Sequence, residues 1–304
     1  MPLLSVEDVV VRFGGVTAVD HASFAVERGT VTALIGPNGA GKTTCFNVIS
    51  GLQRPTSGRV RFNDRDVTSM GVPRRARLGI GRTFQRLEAF GSLTVRENVQ
   101  VALDIHGGVR RLLGGGRDGR HQAERLLERV GIATHADDRA DSVPTGTARL
   151  LELARALACE PRLLLLDEPS SGLDETETED FGRLLRDLAA EGRTVLMVEH
   201  DMDLVMSVCE HINVLDFGVV IARGTPAEVR TSPEVQRAYL GDVDGTEATA
   251  GPGRHADEPI DRDTDRDTGR DTDRDTTVLP AVESLPQETT QQTTEQTAEI
   301  PVVR

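Results

Sequence analysis

The sequence lacks tryptophan and has only one tyrosine, three cysteines and one lysine in 304 residues. The cysteines, Cys45, Cys159 and Cys209, are too few and too scattered for a disulfide framework or a zinc site. They are expected to be small buried thiols in a reducing compartment. No apolar run approaches the roughly 18 residues that a membrane-spanning helix needs. The N-terminus has no basic segment before Glu7, unlike a signal peptide, so a soluble cytoplasmic chain is expected.

Positive charge is also scarce. The 35 basic residues face 49 acidic ones, which gives a formal net charge of −14. Proteins that bind nucleic acid by neutralising phosphates carry the opposite sign, so no nucleic-acid partner is expected. Residues 241–304 hold 16 acidic residues and 6 arginines, a net charge of −10, which leaves −4 for the first 240 residues.

The C-terminal residues 242–304 form an acidic low-complexity tail built from Asp-Arg-Asp-Thr repeats and a Thr/Gln/Glu stretch. The tail has almost no aromatic or large aliphatic side chains, so it cannot bury enough apolar area to offset the entropy of ordering. It is predicted to be disordered, either as a solvated segment without a specific partner or as a regulatory or partner-binding tail. The globular domain is expected to span residues 1–241.

A glycine-rich loop follows a short apolar run. Residues 30–35 are β-branched and mostly apolar, which predicts a buried strand. The next nine residues match G-x-x-x-x-G-K-S/T, and residues 45–49 can continue as a helix. The nine are Gly36, Pro37, Asn38, Gly39, Ala40, Gly41, Lys42, Thr43 and Thr44. Glycines let backbone N–H groups turn towards a phosphate, and the helix N-terminus adds its dipole, so this loop is predicted to bind nucleotide phosphates.

Lys42 is the only lysine, since the other 34 basic residues are arginine. A compact ammonium fits inside a ring of backbone amides, whereas a planar guanidinium does not. Lys42 is therefore predicted to reach the β- and γ-phosphates of ATP, and the Thr43 hydroxyl to ligate Mg²⁺.

Two further apolar strands lead into ionisable residues. Residues 163–166 run into Asp167 and Glu168, and residues 194–198 are followed by His200. The carboxyl ends of parallel strands form the ligand-binding edge of an open α/β sheet. Asp167 is predicted to hold Mg²⁺ through water, Glu168 to polarise the attacking water, and His200 to face the γ-phosphate.

Six elements resemble those of the ATP-binding cassette (ABC) ATPases in order and spacing over residues 4–241. They are the glycine loop, Gln85, a segment around Gly146, the strand ending in Asp167-Glu168-Pro169, the turn ending in Asp174, and Glu199-His200-Asp201. The resemblance implies an α/β P-loop NTPase fold with a RecA-like, mainly parallel sheet that has helices on both faces. It also implies an N-terminal antiparallel β-subdomain and a helical insertion near residues 87–158.

The resemblance implies further roles for single residues. Phe13 matches the aromatic that stacks on adenine, although it could also be a core residue that ends a strand. Gln85 matches a glutamine that contacts Mg²⁺ and water, and Asp174 matches an aspartate of the loop between the subunits. His200 matches the switch histidine, so the catalytic set is Lys42, Glu168 and His200.

The signature segment departs from the family pattern. Where the family usually has Leu-Ser-Gly-Gly-Gln, this chain has Val143-Pro144-Thr145-Gly146-Thr147. In the family this segment presses on the γ-phosphate held by a second ATPase subunit. Pro144 supplies neither a hydroxyl nor an N–H, while Gly146 is retained. The chain is therefore expected to complete a partner's site poorly, which favours a heterodimer with a different ATPase subunit.

Residues 79–85, residues 217–226 and the ending Ala238-Tyr239-Leu240-Gly241 resemble the ATPases of branched-chain amino-acid importers. That resemblance implies ATP hydrolysis that drives solute uptake through separate transmembrane permease subunits. An extracytoplasmic solute-binding protein would deliver the solute, and this chain would lie on the inner face of the plasma membrane.

Two other classes remain open: a soluble ABC ATPase unrelated to transport, and an ATP-binding structural subunit with impaired turnover. The sequence has neither the second cassette typical of translation factors nor the coiled-coil or zinc insertion of DNA-maintenance members. Residues 107–120, with Gly114-Gly115-Gly116 and four arginines, are predicted to be a flexible surface loop, either solvated or touching the membrane.

Overall fold

The computed structural model describes residues 1–83, 89–107 and 116–240. The predicted disordered tail and Gln85 both lie outside these described residues. The strands are β1 (Leu4–Phe13), β2 (Val16–Val26), β3 (Val31–Ile35), β4 (Ser57–Phe62), β5 (Arg65–Asp66), β6 (Ile80–Arg82), β7 (Leu163–Asp167), β8 (Thr194–Val198), β9 (His211–Asp216) and β10 (Val219–Gly224). The helices are α1 (Lys42–Ser50), α2 (Val72–Arg77), α3 (Val95–Gly107), α4 (Gly116–Arg129), α5 (Thr145–Ala158), α6 (Glu175–Ala190), α7 (Met202–Val208), α8 (Pro226–Thr231) and α9 (Pro233–Leu240), with a 3₁₀ turn at Ala133–His135.

The larger sheet has the strand order β10-β9-β3-β8-β7-β6. The five strands β9, β3, β8, β7 and β6 are parallel to one another, and β10 pairs antiparallel with β9 at the edge of the sheet. The central strands β3, β7 and β8 are buried along their whole length. Continuous apolar runs of this kind are typical of parallel strands that are covered on both faces. The predicted parallel core is therefore confirmed.

Alternate residues of these strands face two different cores. Ala33, Leu164 and Val195 belong to a core built with the helices of the insertion and with α6 and α7. Leu34, Leu165 and Leu196 belong to a second core, which contains Phe46 and Ile49 of α1 and the buried side chains of the smaller sheet. The expectation of helices on both faces holds, and the second face is shared between α1 and a β-sheet.

The smaller sheet has the order β2-β1-β4-β5, and each neighbouring pair is antiparallel. In β1, Leu4, Val6 and Val9 are buried while Glu7 and Asp8 are exposed. One face therefore packs on the core and the other meets solvent, as antiparallel sheets allow. This sheet is the N-terminal β-subdomain that the sequence predicts.

The region predicted as a helical insertion contains α3, α4 and α5, which pack on one another through buried side chains such as Val99, Leu127 and Leu151. The expected surface loop over residues 107–120 is wrong at its end, since α4 already begins at Gly116. The buried residues Leu127 and Ala123 are four positions apart, which is helical spacing. Arg120 lies before them and pairs with Glu124, one helical turn later. Residues 108–115 lie outside the described part of the chain.

Arg75 ties α2 to the end of α1. Its side chain is buried, and its Nη1 donates to the carbonyls of Val48 and Ile49, both at 2.6 Å. Nε donates to Met70 O at 2.9 Å and Nη2 to Thr68 O at 3.1 Å. Burial lowers the pKa of Arg75 to about 10, which still leaves it charged at neutral pH. A cation thus occupies the negative end of the α1 dipole, opposite the end that carries the glycine loop.

Candidate nucleotide site

The glycine loop joins the carboxyl end of β3 to the start of α1. Gly36, Gly39 and Gly41 all have positive φ, at 151°, 83° and 102°. A Cβ on Gly36 would lie 1.9 Å from Leu215 O, and one on Gly41 would lie 2.4 Å from Ala18 O. Side chains are thus excluded at both ends of the loop, because the loop is wedged against neighbouring backbones.

The backbone N–H groups in the first turn of α1 are not capped by a side chain. Its N-cap residue is Gly41, and no side chain accepts a hydrogen bond from this turn. Helix starts of this kind expose N–H groups and a partial positive charge to an anion. The loop of residues 36–44, which the sequence predicts to bind phosphate, therefore presents uncapped backbone N–H groups at a helix start.

Lys42 bends back over the loop. Its Nζ donates to Gly36 O at 2.7 Å and to Pro37 O at 2.9 Å, and the residue is buried. Burial lowers the pKa of Lys42, while the charges of Glu168 and Asp167 act in the opposite direction. The ammonium is therefore positioned within the electrostatic reach of both acids.

Asp167 is buried at the end of β7, where Arg82 approaches it. Arg82 Nη2 lies 3.2 Å from Asp167 Oδ2, and Nη1 donates to Asn47 Oδ1 at 2.7 Å and Ser50 Oγ at 3.0 Å. Burial raises the pKa of Asp167, and the Arg82 guanidinium counteracts that rise. The sequence analysis missed Arg82. Arg82 ends β6, and β6 is the neighbour of β7, the strand that ends in Asp167. The sequence does not reveal that these two strands are neighbours, so the contact could not be predicted.

Glu168 and His200 meet across the ends of β7 and β8. His200 Nε2 lies 2.8 Å from Glu168 Oε1. Glu168 has a φ of 49°, a left-handed conformation uncommon for a residue with a side chain, and its N–H donates to Val198 O at 2.9 Å. Outliers of this type are found at sites where surrounding structure imposes them. The structure thus brings together the two residues that were predicted to act on the attacking water and the γ-phosphate.

Glu199 is a second residue to which the sequence analysis assigned no role of its own. It is buried, and it accepts hydrogen bonds from the backbone N–H groups of Ser170 and His200 at 2.8 and 2.9 Å. The sequence shows only that an acidic residue lies between an apolar strand and His200. Its contact with Ser170, on the other loop, could not be predicted from the sequence.

Phe13 ends β1 and is 50% exposed, so the alternative of a buried core residue does not hold. Thr43 is exposed at the start of α1, and Thr44 is half-buried beside it. Gln85 lies outside the described residues. Tyr239 of α9, which was noted only for its sequence resemblance, lies near Gly36: burial raises the pKa of its hydroxyl, and the Gly36 backbone acts against that rise.

Gly146 and Asp174 lie together at a different place. Gly146 is buried in the first turn of α5, where a Cβ would lie 2.7 Å from Gly172 O. Asp174 caps α6: its side chain accepts from the Glu177 N–H at 2.8 Å, and its own N–H donates to the Glu177 carboxylate at 2.9 Å. The signature therefore packs on the loop that carries Asp174 within the same chain.

Sequence comparison identifies two family models in the chain. The ABC transporter model matches residues 19–171. The branched-chain amino acid ATP-binding cassette transporter model matches residues 219–245. The first model covers the glycine loop and the strand that ends in Asp167 and Glu168, and the second covers β10, α8 and α9.

The chain is 40% identical over 252 residues to LivG of Salmonella typhimurium, a high-affinity branched-chain amino acid transport ATP-binding protein. That match covers 80% of this chain and 99% of LivG. It is 33% identical over 242 residues to the lipopolysaccharide export system ATP-binding protein LptB of Haemophilus influenzae, covering 80% of this chain and 98% of LptB.

The fold also matches the solved ADP conformation of MJ1267, an ATP-binding cassette of an ABC transporter. The TM-score is 0.71 at 32% identity, over 80% of this chain and 100% of MJ1267. Motif, fold and sequence similarity agree. The chain therefore belongs to the ABC transporter family as one of its ATP-binding ATPase subunits, and it resembles the branched-chain amino acid members.

Proposed function

We propose that the chain binds and hydrolyses MgATP to energise solute uptake through separate permease subunits. The proposed solute is a branched-chain amino acid or a similar small polar solute. The similarity to LivG and the match of residues 219–245 to the branched-chain model support the choice of branch. The observation that carries the enzymatic part is the 2.8 Å approach of His200 to Glu168, at a sheet edge where Lys42 also lies within electrostatic reach.

In this proposal the glycine loop holds the phosphates. The uncapped N–H groups of the first turn of α1 and the Lys42 ammonium face the β- and γ-phosphates. When ATP enters, Lys42 exchanges its bonds to Gly36 O and Pro37 O for phosphate oxygens. The exposed ring of Phe13 stacks on adenine, a contact worth about 1–3 kcal/mol for a base on an aromatic side chain.

The residues present fit Mg²⁺. The buried Asp167 carboxylate and the exposed Thr43 hydroxyl are hard oxygen donors, the type that Mg²⁺ prefers, and Gln85 would add a third. Among the described residues no cluster of three or more acidic, histidine or cysteine side chains could hold a metal alone. Mg²⁺ usually keeps several waters and is held by one or two carboxylates together with substrate phosphates, and Asp167 is the carboxylate of this set. Bound Mg²⁺ would neutralise charge that develops on the phosphates.

Glu168 orients and polarises the attacking water, and His200 holds Glu168 and faces the γ-phosphate. The contact between them limits the positions that the Glu168 carboxylate can take, so the water it binds is aligned with the phosphorus. Positioning of this kind accounts for much of the catalysis in phosphoryl transfer.

A second ATPase subunit completes the site. We propose that Gly146 and the first turn of α5 face the γ-phosphate held by that subunit, with Asp174 at the interface. Since Pro144 and Thr147 replace the usual serine and glutamine, the proposed partner is a different ATPase chain with an unaltered signature. If both signatures were altered, turnover would be low in both sites, which is the alternative of a structural subunit.

The permease is proposed to dock in an apolar cleft between the sheet edge and the insertion. The cleft has a volume of about 340 Å³, and four of its lining side chains are exposed apolar groups: Leu52, Val72, Phe90 and Ile105. An apolar segment of a permease would bury them. No helix among the described residues is long and apolar enough to cross a bilayer. The proposed location is the cytoplasmic face of the plasma membrane, with an extracytoplasmic binding protein delivering the solute.

Transport assays test this proposal. The chain would be expressed with the permease, ATPase and binding-protein genes adjacent to its own, and uptake of labelled leucine measured with arginine as the control solute. ATP-dependent uptake of leucine that Lys42→Ala removes is the expected result. Recovery of the chain with ribosomes or DNA rather than membranes would contradict it. Lipid export without leucine uptake would instead favour a role like that named for LptB.

A further inference from the structure

Glu199 is a buried carboxylate between the two catalytic loops. It is 4% exposed. Oε1 accepts the Ser170 N–H at 2.8 Å and Oε2 accepts the His200 N–H at 2.9 Å, with the Asp201 N–H at 3.5 Å from the same oxygen. Within the described part of the chain no basic side chain forms an ion pair with Glu199. Its charge is therefore stabilised by backbone N–H groups, which makes these bonds stronger than neutral ones.

The Ser170 bond joins two chain segments that have just left the sheet, whereas the His200 and Asp201 bonds lie within the segment that carries Glu199. Ser170 lies two residues after Glu168, and His200 lies two residues after the end of β8. The last ladder bond between these segments is Glu168 N–H to Val198 O, at 2.9 Å. Beyond it, the Glu199 carboxylate cross-links the backbones that carry Glu168 and His200.

The side chains of Glu168 and His200 are 26% and 48% exposed, so packing constrains them weakly. Their 2.8 Å contact therefore depends on where the two backbones are held. We propose that Glu199 is a positioning residue for hydrolysis, which keeps the Glu168 and His200 loops in register through the bond that its carboxylate accepts from the Ser170 N–H. This inference rests on the proposed roles of Glu168 and His200.

Two substitutions separate this role from simple burial. Glu199→Gln keeps the size of the side chain but replaces one acceptor oxygen with an amide NH₂, which would face a backbone N–H. Glu199→Asp keeps the charge but is one methylene shorter, so its carboxylate falls short of the Ser170 N–H on the other loop. Glu210→Gln is the matched control: Glu210 accepts a backbone N–H, that of Val31, at 2.6 Å at the beginning of β3, the opposite end from the glycine loop.

Amide hydrogen exchange by NMR tests the cross-link without any need for activity. In Glu199→Gln the amides of Ser170 and His200 should exchange at least about 10-fold faster, because a lost hydrogen bond opens them locally. Amides inside β7 and β8 should not change. In Glu210→Gln only amides near Val31 should change. Unchanged exchange at both Ser170 and His200 would overturn the proposal.

The His200 ring resonances give a signature that a purely structural role would not move. In the unsubstituted chain, Glu168→Gln should shift them, since the two side chains are in contact. In a Glu199→Gln background the same Glu168→Gln change should shift them much less, because the loops are out of register. An equal shift in both backgrounds would contradict the proposal.

Turnover in the assembled complex completes the test. Glu199→Gln and Glu199→Asp should lower kcat by about 10- to 100-fold, the effect of a small displacement of catalytic groups, while KM for ATP changes less than about 2-fold. If Glu168→Gln and His200→Ala leave kcat unchanged, the proposed function fails. If those two lower kcat and both Glu199 variants do not, only the Glu199 inference fails. The melting temperature of each variant shows whether it has folded. If Glu199→Gln does not fold, the kcat of Glu199→Asp tests the inference instead.

Discussion

The helices of the chain begin in two different ways. Helices α6, α7 and α8 start with Asp174, Asp201 and Thr225, whose side chains each accept a backbone N–H from the first turn. Helices α1, α2 and α5 start after Gly41, Gly71 and Pro144, and no side chain caps them. Replacing a capping side chain by alanine typically costs about 1 kcal/mol of helix stability, and replacing it by glycine costs only a few tenths.

Two of the three uncapped starts, those of α1 and α5, are the ones proposed to face a phosphate. The donors of α1 are proposed to face the chain's own nucleotide, and those of α5 the nucleotide of a partner subunit. These two starts also differ from each other. The α1 loop has every residue that its pattern requires, while α5 has Pro144 and Thr147 in place of the usual serine and glutamine. We therefore expect the chain to have a working site of its own and to make an altered contribution to its partner's site.

Removing Lys42 should have the largest effect. Lys42→Ala deletes the ammonium that the glycine loop holds, so ATP binding and turnover should both fall by about 100-fold or more. Lys42→Arg keeps the charge and should fail as well, because a guanidinium does not fit among backbone amides. Nucleotide titration and a melting curve in the absence of ATP check this. Near-normal affinity and hydrolysis in Lys42→Ala would remove the basis for assigning a phosphate site to α1.

The fold and much of the site could be predicted because both follow local patterns. The strand predicted over Thr194–Val198 has these same bounds in the structure. Apolar runs, Asp174 as an N-cap and the glycine pattern are each set by neighbours in sequence. The same holds for the position of Asp167 and Glu168 at a strand end.

The contacts that position the site could not be predicted, because they join distant segments. Arg82 contacts Asp167, and Arg75 closes α1 from a different helix. A buried arginine is rare and costly to desolvate, so composition gives no reason to place one there. The start of α4 was missed because its first turn is polar and glycine-rich, and its helical spacing becomes visible only from Ala123 onwards.

The next effect should come from Glu168. In the complex with a partner ATPase, Glu168→Gln should lower turnover by about 100-fold, within the range for loss of a general base, while ATP binding persists. If the sites are unequal, one substitution in this chain should remove most of the activity of the whole complex. Turnover that barely falls would show that the partner's own site does the work, and the asymmetry proposed from α5 would be wrong.

A smaller effect is expected from the signature itself. The purified chain alone should hydrolyse ATP at least about 10-fold more slowly than the complex, since a lost donor in such sites typically costs a few kcal/mol. Pro144→Ser combined with Thr147→Gln should raise the activity of the chain alone by restoring a hydroxyl, an N–H and an amide at the start of α5. Equal rates for the unsubstituted chain alone and for the complex would remove the argument for a heterodimer.

The smallest effect should come from the tail, which is proposed to lie outside the ATPase domain of residues 1–241. Deleting residues 243–304 should leave ATPase activity unchanged and shift the melting temperature by less than about 2 °C, equivalent to under about 1 kcal/mol for a domain of this size. The reason is compositional: the tail has almost no large apolar side chain to dock. Deleting residues 233–304 is the matched control, because it also removes α9, with the buried Val235 and the Tyr239 contact to Gly36. That longer deletion should lower both stability and ATP affinity. A drop of several degrees after the shorter deletion would show instead that the acidic tail docks on the domain.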